Sequence, residues 1–599
     1  MLASRCGDRA VFASARFIRK TGGSDMRSTR FRIFRRLIAA ALACSAGAAA
    51  AAGPVFLHQG SSWTPAARAD FYTRDQGSRL IPYAWAKALK APDGAPFLAD
   101  GLARYGYLPN PANVNRLPVG FMTGETGGRQ YLAMNCSACH TRQIVVAGTE
   151  YRVDGGPALV DFQGLLRDLD SALGIVLATD SAFAAFAAEV LGAGAPPAKV
   201  AALKQEVAAW HLREHTLVTR ALPPQGWGLG RLDAVSMIFN RLVGMDIGPP
   251  PSFLIPENIA LADAPVRYPF LWNAPKQDRT QWPGFSKNGD DLFALTRNLG
   301  QVYGVFGIFR PTRKANHVDF LAGNSIQWKS LGHIEHLVRK IGPPRWPWAL
   351  DAALVAEGKR IYDRPTQAGG CTECHGKRPG AFRFVPPSST WATPLCDVGT
   401  DSREYAILKR PVKSGVYEGA KAPVGGAIGA TSDTFSLLGV SVIGAIFQQA
   451  FGVSLFKYGG EAAAVTPKKH KPAAEQLLAT YKPAAPEPCG AKNGPIRYES
   501  RVMEGIWAAA PYLHNGSVPT LADLLKAPRN RPNKFEVGNR YDTELIGLAR
   551  SQAPGAQVRD TRGCDEEDLK SGESRCGHDF GTDLSDSEKK ALLEYLKAI

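Results

Sequence analysis

Two stretches place two cysteines and a histidine in the same order: Asn135-Cys136-Ser137-Ala138-Cys139-His140, and Cys371-Thr372-Glu373-Cys374-His375. Cysteines three apart with a histidine directly behind them suit covalent haem attachment: the thiols add across two vinyl groups and the imidazole is carried under the ring to the iron. Zinc sites use the same donor types but usually set their histidines well away from the thiol pair, so that four ligands can close a tetrahedron. A redox dithiol needs no adjacent histidine. The repeat therefore predicts two covalently bound c-type haems, one on Cys136, Cys139 and His140, the other on Cys371, Cys374 and His375.

Each iron then has one proximal histidine, and function turns on the sixth position: filled, it makes an electron carrier; open, a catalyst. His578 is the foremost candidate for the second haem. It lies just after Cys576, a candidate disulfide partner of Cys564, and just before an amphipathic terminal helix. His514, in GIWAAAPYLHNGSVPTLADLL, is surrounded by aromatic, Pro and Gly residues and is read as a pocket-orienting group, with Tyr512 beside it. His211 and His215, and likewise His333 and His336, read as ordinary helix-face pairs. His470 reads as a solvated histidine in a Pro/Lys/Ala connector.

Covalent haem attachment takes place outside the bacterial inner membrane, which predicts an export signal. From Met26 the chain runs through a basic segment, MRSTRFRIFRR, into LIAAALACSAGAAAAAG, so residues 1–52 are expected to be a leader and signal peptide and the mature protein periplasmic. A lipid anchor at Cys44 is the lesser reading, because Ala41 stands where a lipobox prefers leucine. The cysteines outside the leader and the haem motifs are Cys396, Cys489, Cys564 and Cys576, an even set that reads as two disulfides. The leader carries ten Lys/Arg against two acids, so much of the formal charge of +17 belongs to it. No basic run with interleaved aromatics follows, which argues against a nucleic-acid partner. Oligomeric state is not legible.

Helical spacing recurs in LVDFQGLLRDLDSALGIVLA, in ALPPQGWGLGRLDAVSMIFNRLVG, and in LDAALVAEGKRIYD just ahead of the second motif. Strand-like alternation is sparse. The expected fold is mainly α with long loops and little β. It comprises two c-type cytochrome domains with one haem each, an N-terminal domain over 53–345 and a C-terminal cytochrome c-like domain over 346–599, joined at Pro343-Pro344-Arg345-Trp346-Pro347-Trp348. The apolar stretch AIGATSDTFSLLGVSVIGAIFQQAF is expected to be a buried helix.

With both motifs, QGSRLIPYAWAKAL, RYGYLPN, LPVGF, RYPFLWNAPKQDRTQWPGF, APYLHNGSVPTLADLL and GHDFGTDLS in view, the chain resembles the bacterial dihaem cytochrome c peroxidase superfamily. The resemblance is to the branch that contains the rubber oxygenases and is related to the methylamine-utilisation dihaem enzymes. It implies that His140 is the proximal ligand of a reactive haem, His375 that of an electron-transfer haem, and His578 the sixth ligand of the latter. It also implies a tryptophan between the haems, for which Trp272 and Trp282 are the candidates. No stretch marks the distal carboxylate of a peroxidase, and none a methionine ligand of the second haem.

The expected function is a periplasmic dihaem oxidoreductase that reduces hydrogen peroxide at the N-terminal haem, with electrons delivered through the C-terminal one. The electron donor is expected to be a small redox protein, a cytochrome c or cupredoxin. The alternatives are a dioxygen-using oxygenase of the rubber-oxygenase type and a non-catalytic dihaem electron carrier.

Overall fold

Two antiparallel hairpins flank the first motif, and their turns explain them. Phe121–Thr126 pairs with Arg129–Met134 around Gly127-Gly128, and Thr141–Val146 pairs with Thr149–Asp154 around Ala147-Gly148. All four turn residues have positive φ. Two-residue turns of that hand match the twist of the strands they join. The computed structural model describes residues 53–289, 291–382, 389–422, 426–459 and 496–599. The leader, the connector with His470, and Cys489 lie outside the described residues.

The expectation of a mainly α protein built from two cytochrome domains is overturned. The chain is about 38% helix and 17% strand, the strands are spread over many small sheets, and residues 55–599 form one compact unit. Most of these strands are two to six residues long, too short for alternation to emerge from the sequence. One hydrophobic core also takes residues from both sides of the expected junction: Leu57, Phe71, Ile144 and Trp272 pack with Ile361, Trp507, Tyr541 and Leu592. The junction itself is part of that core, since Trp346 and Trp348 meet Trp507 edge-on at 5.0 and 5.9 Å. Burying a side chain of this size contributes on the order of 1.5–3 kcal/mol, which ties the halves together.

Helices form where the capping chemistry allows. Phe162–Ala178 is capped by Asp161, Ala352–Tyr362 by Asp351, and the terminal helix Asp586–Ala598 by a reciprocal Ser585–Glu588 box. The last two pack so closely that a Cβ on Gly358 would fall 2.0 Å from the Ala591 carbonyl oxygen. The stretch expected to be helical from Ala221 onward is helical only over Ala234–Phe239, continued by a π-helical segment Asn240–Asp246. Thr434–Phe451 is long and apolar enough to cross a membrane, yet most of it is buried, with the Phe320 ring seated on Gly444.

Candidate haem sites

The first motif sits between the two hairpins. Asn135 caps its single helical turn, Cys136–Cys139, by accepting from Ser137 N–H, and its amide donates to the Phe71 and Arg74 carbonyls. Gly120 must be glycine: its φ is +79°, and a Cβ there would meet Ala138 N at 2.1 Å. Behind the motif the His140 carbonyl accepts from Gly155 N–H. The histidine faces a cavity that Cys136 and Cys139 also line. Burial, opposed by the Pro269 backbone, pushes the His140 imidazole down to about 4, so it is neutral and able to donate a lone pair to a metal.

The second motif lines another cavity, with the terminal helix contributing Leu592 and Leu596. His375 Nδ1 donates to the Arg501 carbonyl at 2.7 Å, which fixes the tautomer and leaves Nε2 as the free nitrogen. Across the cavity stands His578, its ring centroid 6.2 Å from that of His375. Its backbone is held rather than loose. His578 N–H donates to the Val398 carbonyl, Arg531 donates to the carbonyls of Gly577 and His578, and Cys576 is disulfide-bonded to Cys564. His578 has φ +54°, a left-handed conformation a histidine adopts only when its surroundings impose it. Burial first, then His375 and Arg531, push its imidazole down to about 3.

The remaining candidates lie nearby. His514 lines the His375 cavity, stacked on Tyr498 at 4.0 Å with Nε2 3.0 Å from Asp401 Oδ2. Trp282 lines the same cavity and donates to the Arg267 carbonyl. Trp272 is fully buried and stacks under Phe270 at 4.7 Å. Neither tryptophan lines both cavities. Phe270, Glu499 and Arg501 do, with the Arg501 guanidinium 4.0 Å above the Phe270 ring. Composition offers no signal for that trio, because residues 270 and 499–501 meet only in the folded chain. Two carboxylates that the sequence did not mark, Glu335 and Glu499, also line the His140 cavity, as do Met134 and Met237. Glu335 is bound by Arg297 and by Asn298 at 3.1 Å. Burial, opposed by Arg501 and Arg267, pushes Glu499 up to about 7.

The donor set fits haem. The four motif cysteines are free thiols, whereas Cys396, Cys564 and Cys576 are disulfide-bonded. Burial pushes Cys136 up to about 11 and Cys139 and Cys371 up to about 12, so these thiols are protonated in the pocket walls. The buried nitrogens Arg267 Nη1 and Arg501 Nη1 have no hydrogen-bond partner among the described residues, as suits a pocket made for a carboxylate-bearing group.

Residues 497–536 match the family model described as RoxA-like, cytochrome c-like. That segment carries Glu499, Arg501, Met503, Tyr512, His514 and Leu521 into the wall of the His375 cavity, so a c-type haem is the group this part of the chain is built around. The chain is 28% identical to the uncharacterized protein y4iJ of Sinorhizobium fredii over 90% of its own length and 92% of the relative's. It is 23% identical to the uncharacterized protein y4iM of the same organism over 64% and 74%. The match identifies one cytochrome-like segment, and the coarse class it supports is a haem cytochrome oxidoreductase.

Proposed function

We propose that the protein is an exported dihaem c-type oxidoreductase that reduces hydrogen peroxide in the His140 cavity, using electrons received through the His375 cavity from a small redox protein. The observation that carries this reading is the asymmetry of the two cavities: one has a single histidine, the other three, of which His375 and His578 face each other. With their ring centroids 6.2 Å apart across the cavity, His375 and His578 would hold one haem between them. Bound there, a c-type haem would supply one-electron redox chemistry and a site for a small oxygen-containing substrate.

The chain's own groups then have distinct tasks. His140 and His375 supply neutral imidazoles, the latter oriented by the Arg501 carbonyl. Peroxide reduction to two waters consumes two protons and two electrons. Glu499, poised near neutrality on the wall of the His140 cavity, is suited to pass a proton at physiological pH. Phe270 and Arg501 line both cavities and support electron passage there. A disulfide between Cys564 and Cys576 suits an oxidising compartment, which supports a periplasmic location.

The RoxA-like match favours a second reading, an oxygenase that takes dioxygen in the same cavity and cleaves an apolar unsaturated substrate. Turnover of the holoprotein with reduced cytochrome c and peroxide separates the two, run beside a polyisoprene assay with product mass spectrometry. Peroxide-dependent oxidation of the donor supports the first reading; oxygen-dependent chain cleavage without a donor replaces it. A reduced protein that binds no carbon monoxide until Met237 is changed to alanine would make both irons six-coordinate and the protein a carrier.

A further inference from the structure

Asp170, His211 and His215 gather on one side of the molecule, apart from the residues lining the haem cavities. His211 and His215 lie four apart on the helix Pro197–Ala221 and so project from one face. Asp170 comes from the neighbouring helix Phe162–Ala178. His211 Nε2 is 3.2 Å from Asp170 Oδ1, and His215 Nδ1 is 3.0 Å from Asp170 Oδ2. One ligand atom from each of the three residues can be chosen so that all lie within 4.8 Å of one another. The two imidazole centroids are 5.2 Å apart.

We propose that these three side chains form a binding site for a borderline divalent transition ion of the zinc class, with solvent as the fourth ligand. Two imidazoles and one carboxylate are a donor set that suits zinc, whereas calcium and magnesium ask for oxygen ligands. Ligand bonds of about 2.0–2.2 Å need donor separations only slightly wider than those between Asp170 and the two imidazoles. The carboxylate is buried and so presents a fixed ligand, while the His215 side chain is half exposed and leaves an entry path. Residue 174, one turn on from Asp170, is glycine, and even a Cβ there would come no nearer to His211 Nε2 than 3.6 Å. Because its ligands come from two helices, a bound ion would clamp them together. One of these helices begins at Phe162, in the wall of the His140 cavity, so the ion would stiffen that wall.

The test is equilibrium dialysis of chelator-treated holoprotein against zinc sulfate, with iron and zinc counted together and a competing dye setting the affinity. One zinc per chain beyond the iron is expected. Asp170→Asn, His211→Ala and His215→Ala should each weaken it by more than about tenfold, the least that loss of even an outer partner costs. His336→Ala, beside the other surface pair formed by His333 and Asp70, should bind zinc like the parent. His215→Ala removes the most exposed of the three, so it is the variant least exposed to misfolding, and an unchanged haem spectrum certifies each protein. Absence of saturable zinc binding overturns the site, as does zinc retained by all three variants or lost in the His336 variant.

Discussion

The imidazoles of His375 and His578 face each other across one cavity with centroids 6.2 Å apart, although 202 residues separate them in the chain. If they share one iron, His578→Ala should open a coordination site without releasing covalent haem, because Cys371, Cys374 and His375 remain. The low-spin signal of the haem between them should become high-spin in absorption and electron paramagnetic resonance spectra. His578→Gly should do the same while gaining about 1 kcal/mol over the alanine variant, since glycine accepts φ +54° without strain. An unchanged low-spin signal would remove His578 as a ligand.

The Cys564–Cys576 bridge closes a loop of 12 residues' separation, two residues ahead of His578. Replacing both cysteines with serine should cost about 3 kcal/mol. It should also give a temperature-dependent high-spin fraction at one haem as His578 loses its anchor. A stable variant with parental spectra would show that Arg531 and the Val398 carbonyl suffice to hold the loop.

Glu499 makes stability depend on pH in a defined window. Its folded value of about 7 lies above the ordinary 4.5, so the native state keeps a proton that the unfolded chain releases. Stability therefore falls as pH rises from about 4.5 to about 7, then stays lower by roughly 3 kcal/mol. Glu499→Gln should match the parent near pH 4.5 and exceed it by an amount of that order at pH 8, measured by urea unfolding. Parallel pH profiles for the two proteins would contradict this.

Asp154 ties the hairpin behind His140 to the helix Pro65–Thr73. Its fully buried carboxylate accepts from Trp63 Nε1 at 2.7 Å, Arg68 Nε at 2.6 Å and Tyr72 O–H at 2.5 Å. Asp154→Ala strands all three donors and should cost about 3–5 kcal/mol, read as a lowered urea midpoint. A loss under about 1 kcal/mol would mean that water replaces the carboxylate.

Phe270 belongs to both cavities, with Trp272 stacked beneath it and Arg501 above. Phe270→Leu keeps most of the volume and should cost under about 1.5 kcal/mol. It should nonetheless slow reduction of the His140 haem by an external donor several-fold in stopped-flow traces, while reduction of the His375 haem keeps its rate. Equal rates in parent and variant would locate the electron path elsewhere.

What the sequence determined by itself is chemistry that fits within a few neighbouring residues. Two thiols three apart with a histidine behind them are defined by covalent spacing, and the helix starts at Asp161, Asp351 and Ser585 follow from side chains reaching their own backbone. The GG and AG turns of the two hairpins were legible in the same way, since two-residue turns need positive φ, yet their short strands hid the β content. Tertiary structure alone decided which distant groups share a site. It set His578 opposite His375, brought Glu335 and Glu499 to His140, and made Phe270, not Trp272 or Trp282, common to both cavities. It also turned His211 and His215 from a helix-face pair into partners of Asp170. Such meetings depend on how the helices and hairpins bury their apolar faces against one another. That packing is a property of the whole core and leaves no local mark.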